Sequence, residues 1–235
     1  MKLEKLLERE YVLKDTLHSD LWDGDVLKEE VREKLFQIAY AFIEYIGIQG
    51  LIIDDIIFTG SLANYNYTDN SDIDLHIITT FDNLPVDCPV LADNVFQAKK
   101  TLFNQNHNIT IYGHPVELYV EDSKTPSKAT GKYSIISNTW LIKPVLGNKI
   151  SLGDPETSEK FQDFVKRIKD ALSSEFNSEE AQNIMDDIYA LRQSGLNNGG
   201  ELSFENIIFK QLRSDGYIQL LRDYISANFD KSLSL

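Results

Sequence analysis

Apolar positions change their rhythm three times along the chain. Val31, Leu35, Ile38, Phe42 and Ile46 recur at spacings of three and four with Glu and Lys between them, which predicts a helix with one buried stripe. Asp23-Gly24 precedes that pattern and Gly47 and Gly50 close it, so the first 50 residues read as helical. From Leu51 the texture becomes β-rich: Leu51 to Thr59, Ile73 to Thr79, Ile109 to Tyr112 and Val116 to Val120 are predicted strands. Leu91 to Asn106 is helix-like, and Gly113-His114-Pro115 predicts the turn of a hairpin running from Ile109 to Val120. Asp122 to Ser134 reads as an exposed, locally basic loop carrying Lys124, Lys128 and Lys132, and Ile135 to Val145 as one more strand ending at Pro144 and Gly147. Beyond Gly153-Asp154-Pro155 only helical patterns remain, at Glu156 to Ser173, Ser178 to Ser194, and Phe204 to Asn228 with a break at Gly216. No internal repeat is visible. The layout is an α/β (α+β) core with N-terminal helices over residues 1–150, followed by a helical module over 151–235.

Composition narrows what such a fold does. The chain of 235 residues is 42% hydrophobic and 26% charged, enough for a packed core and unlike a disordered or fibrous protein. Its 23 Lys+Arg against 37 Asp+Glu give a net charge of −14, which repels phosphate backbones and anionic lipid and argues against long duplex DNA as a partner. Cys88 is alone and His18, His76, His107 and His114 are scattered in sequence, so neither a disulfide frame nor a thiolate zinc cluster is expected; a reducing, cytoplasmic compartment fits. The first ten residues are too charged for a signal-peptide core, and the apolar run from Leu51 to Phe58 is short and interrupted by Asp54 and Asp55, so no membrane span is expected.

The chemistry is concentrated in Phe58-Thr59-Gly60-Ser61 and, ten residues on, Asp72-Ile73-Asp74-Leu75-His76. Strand side chains alternate, so Asp72 and Asp74 share one side, about 6–7 Å apart at Cα, while Ile73 and Leu75 point into the core. Two carboxylates on a polar face form a platform for a hard divalent cation, Mg²⁺ or Mn²⁺, which binds through one or two carboxylates together with substrate phosphates. Gly60 permits close approach to a phosphate, a helix beginning at Ser61 would aim backbone N–H groups at an anion, and Ser61 adds a hydroxyl. Carboxylate pair, phosphate cradle and serine in one strand-turn-strand element make up the minimal kit for nucleotidyl transfer from a nucleoside triphosphate.

This segment resembles the signature of the polymerase-beta-like nucleotidyltransferase superfamily, Gly-Ser followed after about ten residues by Asp-x-Asp flanked by hydrophobic residues. The likeness is specific over about 20 residues, within Phe58 to His76, and extends loosely, through element order, to residues 25–125. Leu62 and Tyr65 stand where many small members carry a basic residue and a glycine, which marks a divergent member. The resemblance implies a mixed-sheet nucleotidyltransferase core, an NTP substrate, Asp72 and Asp74 as metal ligands, Gly60 and Ser61 at the triphosphate, and a third carboxylate from a later strand. In Val116-Glu117-Leu118-Tyr119-Val120, alternation leaves Glu117 and Tyr119 on the polar face, so Glu117 is the candidate metal ligand and proton acceptor. Glu121, on the same face at the strand end, ranks second.

Rival readings of the same residues fail on spacing. An EF-hand loop counted from Asp69 places Asp74 where glycine is required and Thr80 at the twelfth position. A P-loop around Gly131-Lys132 would need glycine at Pro126 and Ser or Thr at Tyr133. A glycosyltransferase-type Asp-x-Asp has no reason to follow Gly-Ser at ten residues. His76 is read as a hydrogen-bonded structural histidine ahead of a substrate contact, Tyr65 and Tyr67 as core aromatics ahead of base-stacking groups, and the three loop lysines as solvated ahead of steering a triphosphate. Arg192, Lys210 and Arg213 of the helical module read first as solvent-facing, with closure over a triphosphate as their functional alternative. The expectation is a Mg²⁺-dependent nucleotidyltransferase acting on a hydroxyl of a small molecule, a protein or a short RNA end, a toxin that modifies transfer RNA or a protein being one form of it. The alternative is a non-catalytic nucleotide-sensing or antitoxin-like protein of the same fold.

Overall fold

A computed structural model describes residues 14–69, 71–84, 89–146, 155–173 and 178–234. It divides into two compact units, one spanning Lys14–Leu146 and the other holding the described residues from Pro155 onward. The boundary expected at residue 150, like Cys88, lies outside the described residues.

In the first unit, β1 (Trp22–Asp23) and β2 (Val26–Leu27) form a small hairpin, and α1 (Glu29–Ile46) follows it. The Asp23-Gly24 signal, read above as the approach to a helix, therefore belongs to a hairpin: Asp23 pairs with Val26 and Gly24-Asp25 form the two-residue connection. Trp22 and Leu27 are both buried, which draws this segment onto the core in place of a longer helix. α1 buries the expected stripe of Val31, Leu35, Ile38, Phe42 and Ile46 and ends at Gly47, whose N–H donates to Ile43 O.

The remaining elements of the unit are β3 (Asp55–Thr59), β4 (Ile73–Thr79), α2 (Pro89–Asn106), β5 (Thr110–Ile111), β6 (His114–Asp122), β7 (Lys132–Ser134) and β8 (Thr139–Ile142). They build a six-stranded mixed sheet in the order β5-β6-β4-β3-β7-β8. β4 and β6 run parallel; every other pair is antiparallel. A parallel neighbour requires a crossover, and α2 supplies it. Phe58, Leu75 and Leu118 lie in one register row and Ile56, Ile77 and Val120 in the next, all buried in one core with Leu35 and Phe42 of α1 and Phe96 and Phe103 of α2. Phe42 and Phe103 meet with ring centroids 5.0 Å apart, so both helices cover the same face of the sheet. The alternate row, Thr59, Asp74 and Glu117, is left on the opposite face.

Three local expectations are corrected. The hairpin between β5 and β6 turns at Tyr112-Gly113, with φ of 50° and 86°, so His114 is already paired with Ile111 and buried. Residues 122–134 are not all an exposed basic loop: Lys132 opens β7 and is 6% exposed, its Nζ donating to Ser127 O at 2.7 Å. The segment 135–145 is not one strand; Ile135 is core, and β8 returns antiparallel on β7 with Trp140 stacked on Trp22 at 4.8 Å.

The second unit packs α3 (Pro155–Ser173), α4 (Ser178–Asn198), α5 (Phe204–Ser214) and α6 (Tyr217–Leu233) around a separate core that includes Phe164, Ile168, Ile184, Ile188, Ile208 and Leu212. Ser203 caps α5, its Oγ accepting from Asn206 N–H, and the expected break falls at Gly216. Among the described residues no helix is long and apolar enough to cross a membrane.

Candidate active site

The parallel pairing of β4 and β6 creates the site. Asp74 and Glu117 are register partners on these strands, and Asp72 stands one residue before β4. One carboxylate oxygen from each of the three lies within 4.8 Å of the others, all three residues being half-buried. Such crowding of like charges is costly without a cation, and oxygen-only donors match a hard divalent ion. Among the described residues this is the one group of three or more potential metal ligands.

Gly60 is fitted to that cluster. It ends β3 at φ 80°, ψ −164°, a conformation all but confined to glycine, and a Cβ built there would lie 1.8 Å from Asp74 Oδ2. The glycine therefore admits the aspartate carboxylate against the backbone. Beyond it the expected helix is a single 3₁₀ turn, Ser61–Ala63, too short to carry a helix dipole, which corrects the picture of a helix N-terminus aimed at a phosphate. Ser61 Oγ lies 3.0 Å from Ser71 Oγ, which accepts from Thr68 N–H at 2.9 Å, so the two ends of the ten-residue connection are tied together. His114 Nδ1–H donates to Ser71 O at 2.8 Å, anchoring the residue before Asp72 to the start of β6. Gly131 closes the far side: a Cβ there would lie 2.1 Å from Ala63 O, and Thr59 Oγ1 donates to Gly131 O at 2.7 Å. That close approach is the reason for glycine in the Gly131-Lys132 pair.

Leu62 is fully buried, so its side chain serves packing, and its carbonyl accepts from Trp22 Nε1 at 2.8 Å. Tyr67 is buried, its hydroxyl donating to Thr16 O at 3.2 Å, and Tyr65 packs against the core. His18, distant in sequence, reaches both Tyr67 and His114, with centroids 5.0 and 4.8 Å away; burial and the His114 charge lower its pKa. The histidines are thus less scattered in space than in sequence.

Farther along the same face, His76 Nδ1 lies 2.5 Å from Glu121 Oε2, and Glu121 Oε1 accepts from Ser127 N–H at 2.6 Å with Lys132 Nζ at 3.9 Å. Burial pushes the Glu121 pKa up, but the hydrogen bonds from His76 and Ser127 and the charges of His76 and Lys132 outweigh it and hold it below the ordinary value. His76 and Glu121 are structural partners of each other, apart from the triad. Lys124 pairs with Asp82, and Arg192 lies over the Phe209 ring at 4.3 Å.

Two residues that sequence reasoning did not assign stand beside the triad. Tyr119 O–H donates to Glu117 Oε2 at 2.6 Å, and burial followed by the Asp74 charge pushes its pKa well above the usual phenol. Lys100 of α2 brings Nζ to 3.7 Å from the Tyr119 ring centroid; burial lowers its pKa, opposed by the charges of Glu117 and Asp74. Alternation had put Tyr119 on the polar face, which was the available signal; no local pattern marks Lys100 among the α2 lysines. No family model, curated protein or solved structure matches the chain.

Proposed function

We propose that the protein is a Mg²⁺- or Mn²⁺-dependent nucleotidyltransferase of the polymerase-beta-like kind, moving a nucleoside monophosphate from an NTP to a hydroxyl acceptor. The observation that carries the reading is the joining of Asp72, Asp74 and Glu117 within 4.8 Å next to Gly60, whose missing Cβ makes room for Asp74. Asp72 and Asp74 from one segment and Glu117 from a later, parallel strand meet at one acidic point, which supports the reading.

The three carboxylates fit hard divalent cations, and Asp72, Asp74 and Glu117 would hold them. When bound, Mg²⁺ or Mn²⁺ supplies charge stabilisation for the transferring phosphoryl group and the departing pyrophosphate. Gly60 and Ser61 border the site from the β3 side, where we place the triphosphate; Ser61 Oγ donates to Ser71 Oγ and would exchange that partner for a phosphate oxygen. On the β6 side, Glu117 takes the proton of the attacking hydroxyl as the new P–O bond forms at the α-phosphorus and the α–β anhydride bond breaks. The net charge of −14 favours a small molecule, a protein hydroxyl or a short RNA end as acceptor over long duplex DNA.

Incubating the protein with each labelled NTP and Mg²⁺ in a cell extract tests the reading. Transfer of base- or α-phosphate-labelled nucleotide to a discrete acceptor, accompanied by release of unlabelled pyrophosphate and lost in Glu117→Gln, is the expected result. Metal-dependent NTP binding with no transfer to any acceptor would favour the nucleotide-sensing alternative.

A further inference from the structure

The triad is backed by a layer of side chains that meets Glu117 through a direct hydrogen bond. Tyr119 O–H reaches Glu117 Oε2 at 2.6 Å, two residues along β6 on the same face. Its ring is gripped by other elements: the His76 ring, its register partner on β4, lies 4.8 Å away at a 32° tilt, and Lys100 Nζ from α2 lies 3.7 Å from its centroid. His76 is itself fixed on Glu121, which is tied to Ser127 N–H. A phenol ring packed in this way has little rotational freedom, so the position of its hydroxyl oxygen is set before any ligand arrives, and the O–H turns toward the Glu117 carboxylate. A glutamate carboxylate, by contrast, rotates broadly about its last torsion unless a donor holds it.

We propose that Tyr119 is a positioning residue for Glu117: its hydroxyl fixes the rotation of the carboxylate so that one oxygen stays within reach of Asp72 and Asp74, while His76 and Lys100 hold the ring. The role rests on the reading of the triad as a divalent-cation site. It gives the polar face a division of labour in which Glu121, His76 and Lys100 build a rigid frame and Tyr119 passes that rigidity to the reacting carboxylate. Partners of this outer kind, when removed, typically cost about 10–100-fold in metal affinity.

The test is a Mn²⁺ titration followed by electron paramagnetic resonance on the full chain and on Tyr119→Phe, Glu117→Gln and the double variant. Tyr119→Phe keeps the ring and its packing, so the fold should persist with Tm lowered by only a few degrees for the lost hydrogen bond, while Mn²⁺ affinity falls about tenfold or more. In the Glu117→Gln background the same change should cost nothing further, and in the transfer assay it should lower kcat while leaving KM for the NTP unchanged. Equal Mn²⁺ affinity in Tyr119→Phe and wild type overturns the positioning role while leaving the cation site standing. An undiminished loss in the Glu117→Gln background also overturns it, since Tyr119 would then act on something other than Glu117. Wild-type protein that binds no Mn²⁺ overturns the cation reading and the positioning role together.

Discussion

Glu117 and Glu121 sit four residues apart on the same face of the same strand, yet they are treated in opposite ways. Glu121 is enclosed by His76, Lys132 and the Ser127 N–H, and these partners hold its pKa down. Glu117 is turned instead toward two further carboxylates and receives a neutral hydroxyl from Tyr119. One acid is enclosed by protein donors, Lys132 among them; the other, with the Lys100 ammonium close by, joins two further carboxylates in a concentration of negative charge that an incoming cation would relieve. The contrast separates a fold-holding carboxylate from the one we propose as a cation ligand, and substitutions along the face can break or sharpen it.

The largest effect is expected at the acidic end. Asp72→Asn with Asp74→Asn should abolish metal-dependent NTP binding and lower transfer by about 10³-fold or more, in keeping with the several kcal/mol that metal catalysis supplies. Thermal melting without metal should be unchanged or raised, because like charges have been removed. Glu117→Gln comes next: transfer should fall about 10²-fold, the usual size of a lost general base, with much of the NTP affinity kept. Calorimetry and the transfer assay on the same samples separate these two outcomes.

Gly60→Ala should damage both fold and site, because the new methyl meets Asp74 Oδ2 and the backbone must leave a glycine-only conformation costing about 1–3 kcal/mol. A lowered urea midpoint together with weakened Mn²⁺ binding is the expected pair of readings. Glu121→Gln moves the main effect from site to fold: transfer should fall far less than in Glu117→Gln, while stability falls by about 1–3 kcal/mol as buried hydrogen bonds are lost. The pH dependence follows from the lowered Glu121 pKa. The ionised acid binds fewer protons folded than unfolded, so its stabilisation is present above the ordinary value of 4.5 and is lost as pH falls through the depressed folded value. Urea curves for wild type and Glu121→Gln should therefore converge in acid and differ at neutral pH; a constant gap would remove the ion-pair account. Lys124→Ala, which breaks only the exposed pair with Asp82, should leave Tm and transfer unchanged.

The acidic end was more legible in the sequence than the Glu121 end, for a physical reason. Asp72, Asp74, Gly60 and Ser61 stand in one short segment, and alternation alone puts Glu117 on the correct face of a strand whose period is two. The buried stripes of α1 and β4 were equally readable, since each depends only on local spacing. The frame around Glu121 depends on pairings across 45 residues to His76 and six to Ser127, and the burial of Lys132 depends on a strand hidden in a lysine-bearing, turn-rich segment. Lys100 was invisible because a helical lysine that leans onto a ring looks like any solvated lysine until the packing of α2 on β6 is known. Asp23-Gly24 misled for a different reason: the same dipeptide opens a helix or turns a hairpin, and burial of Trp22 and Leu27 decides between them.

Calorimetric titration of the full chain with a nucleoside triphosphate, run once with Mn²⁺ and once with chelator, tests the central claim most directly. Asp72, Asp74 and Glu117 as a cation site predict tight binding that requires the metal and disappears in the Asp72→Asn, Asp74→Asn variant. Identical affinity with and without metal would contradict it.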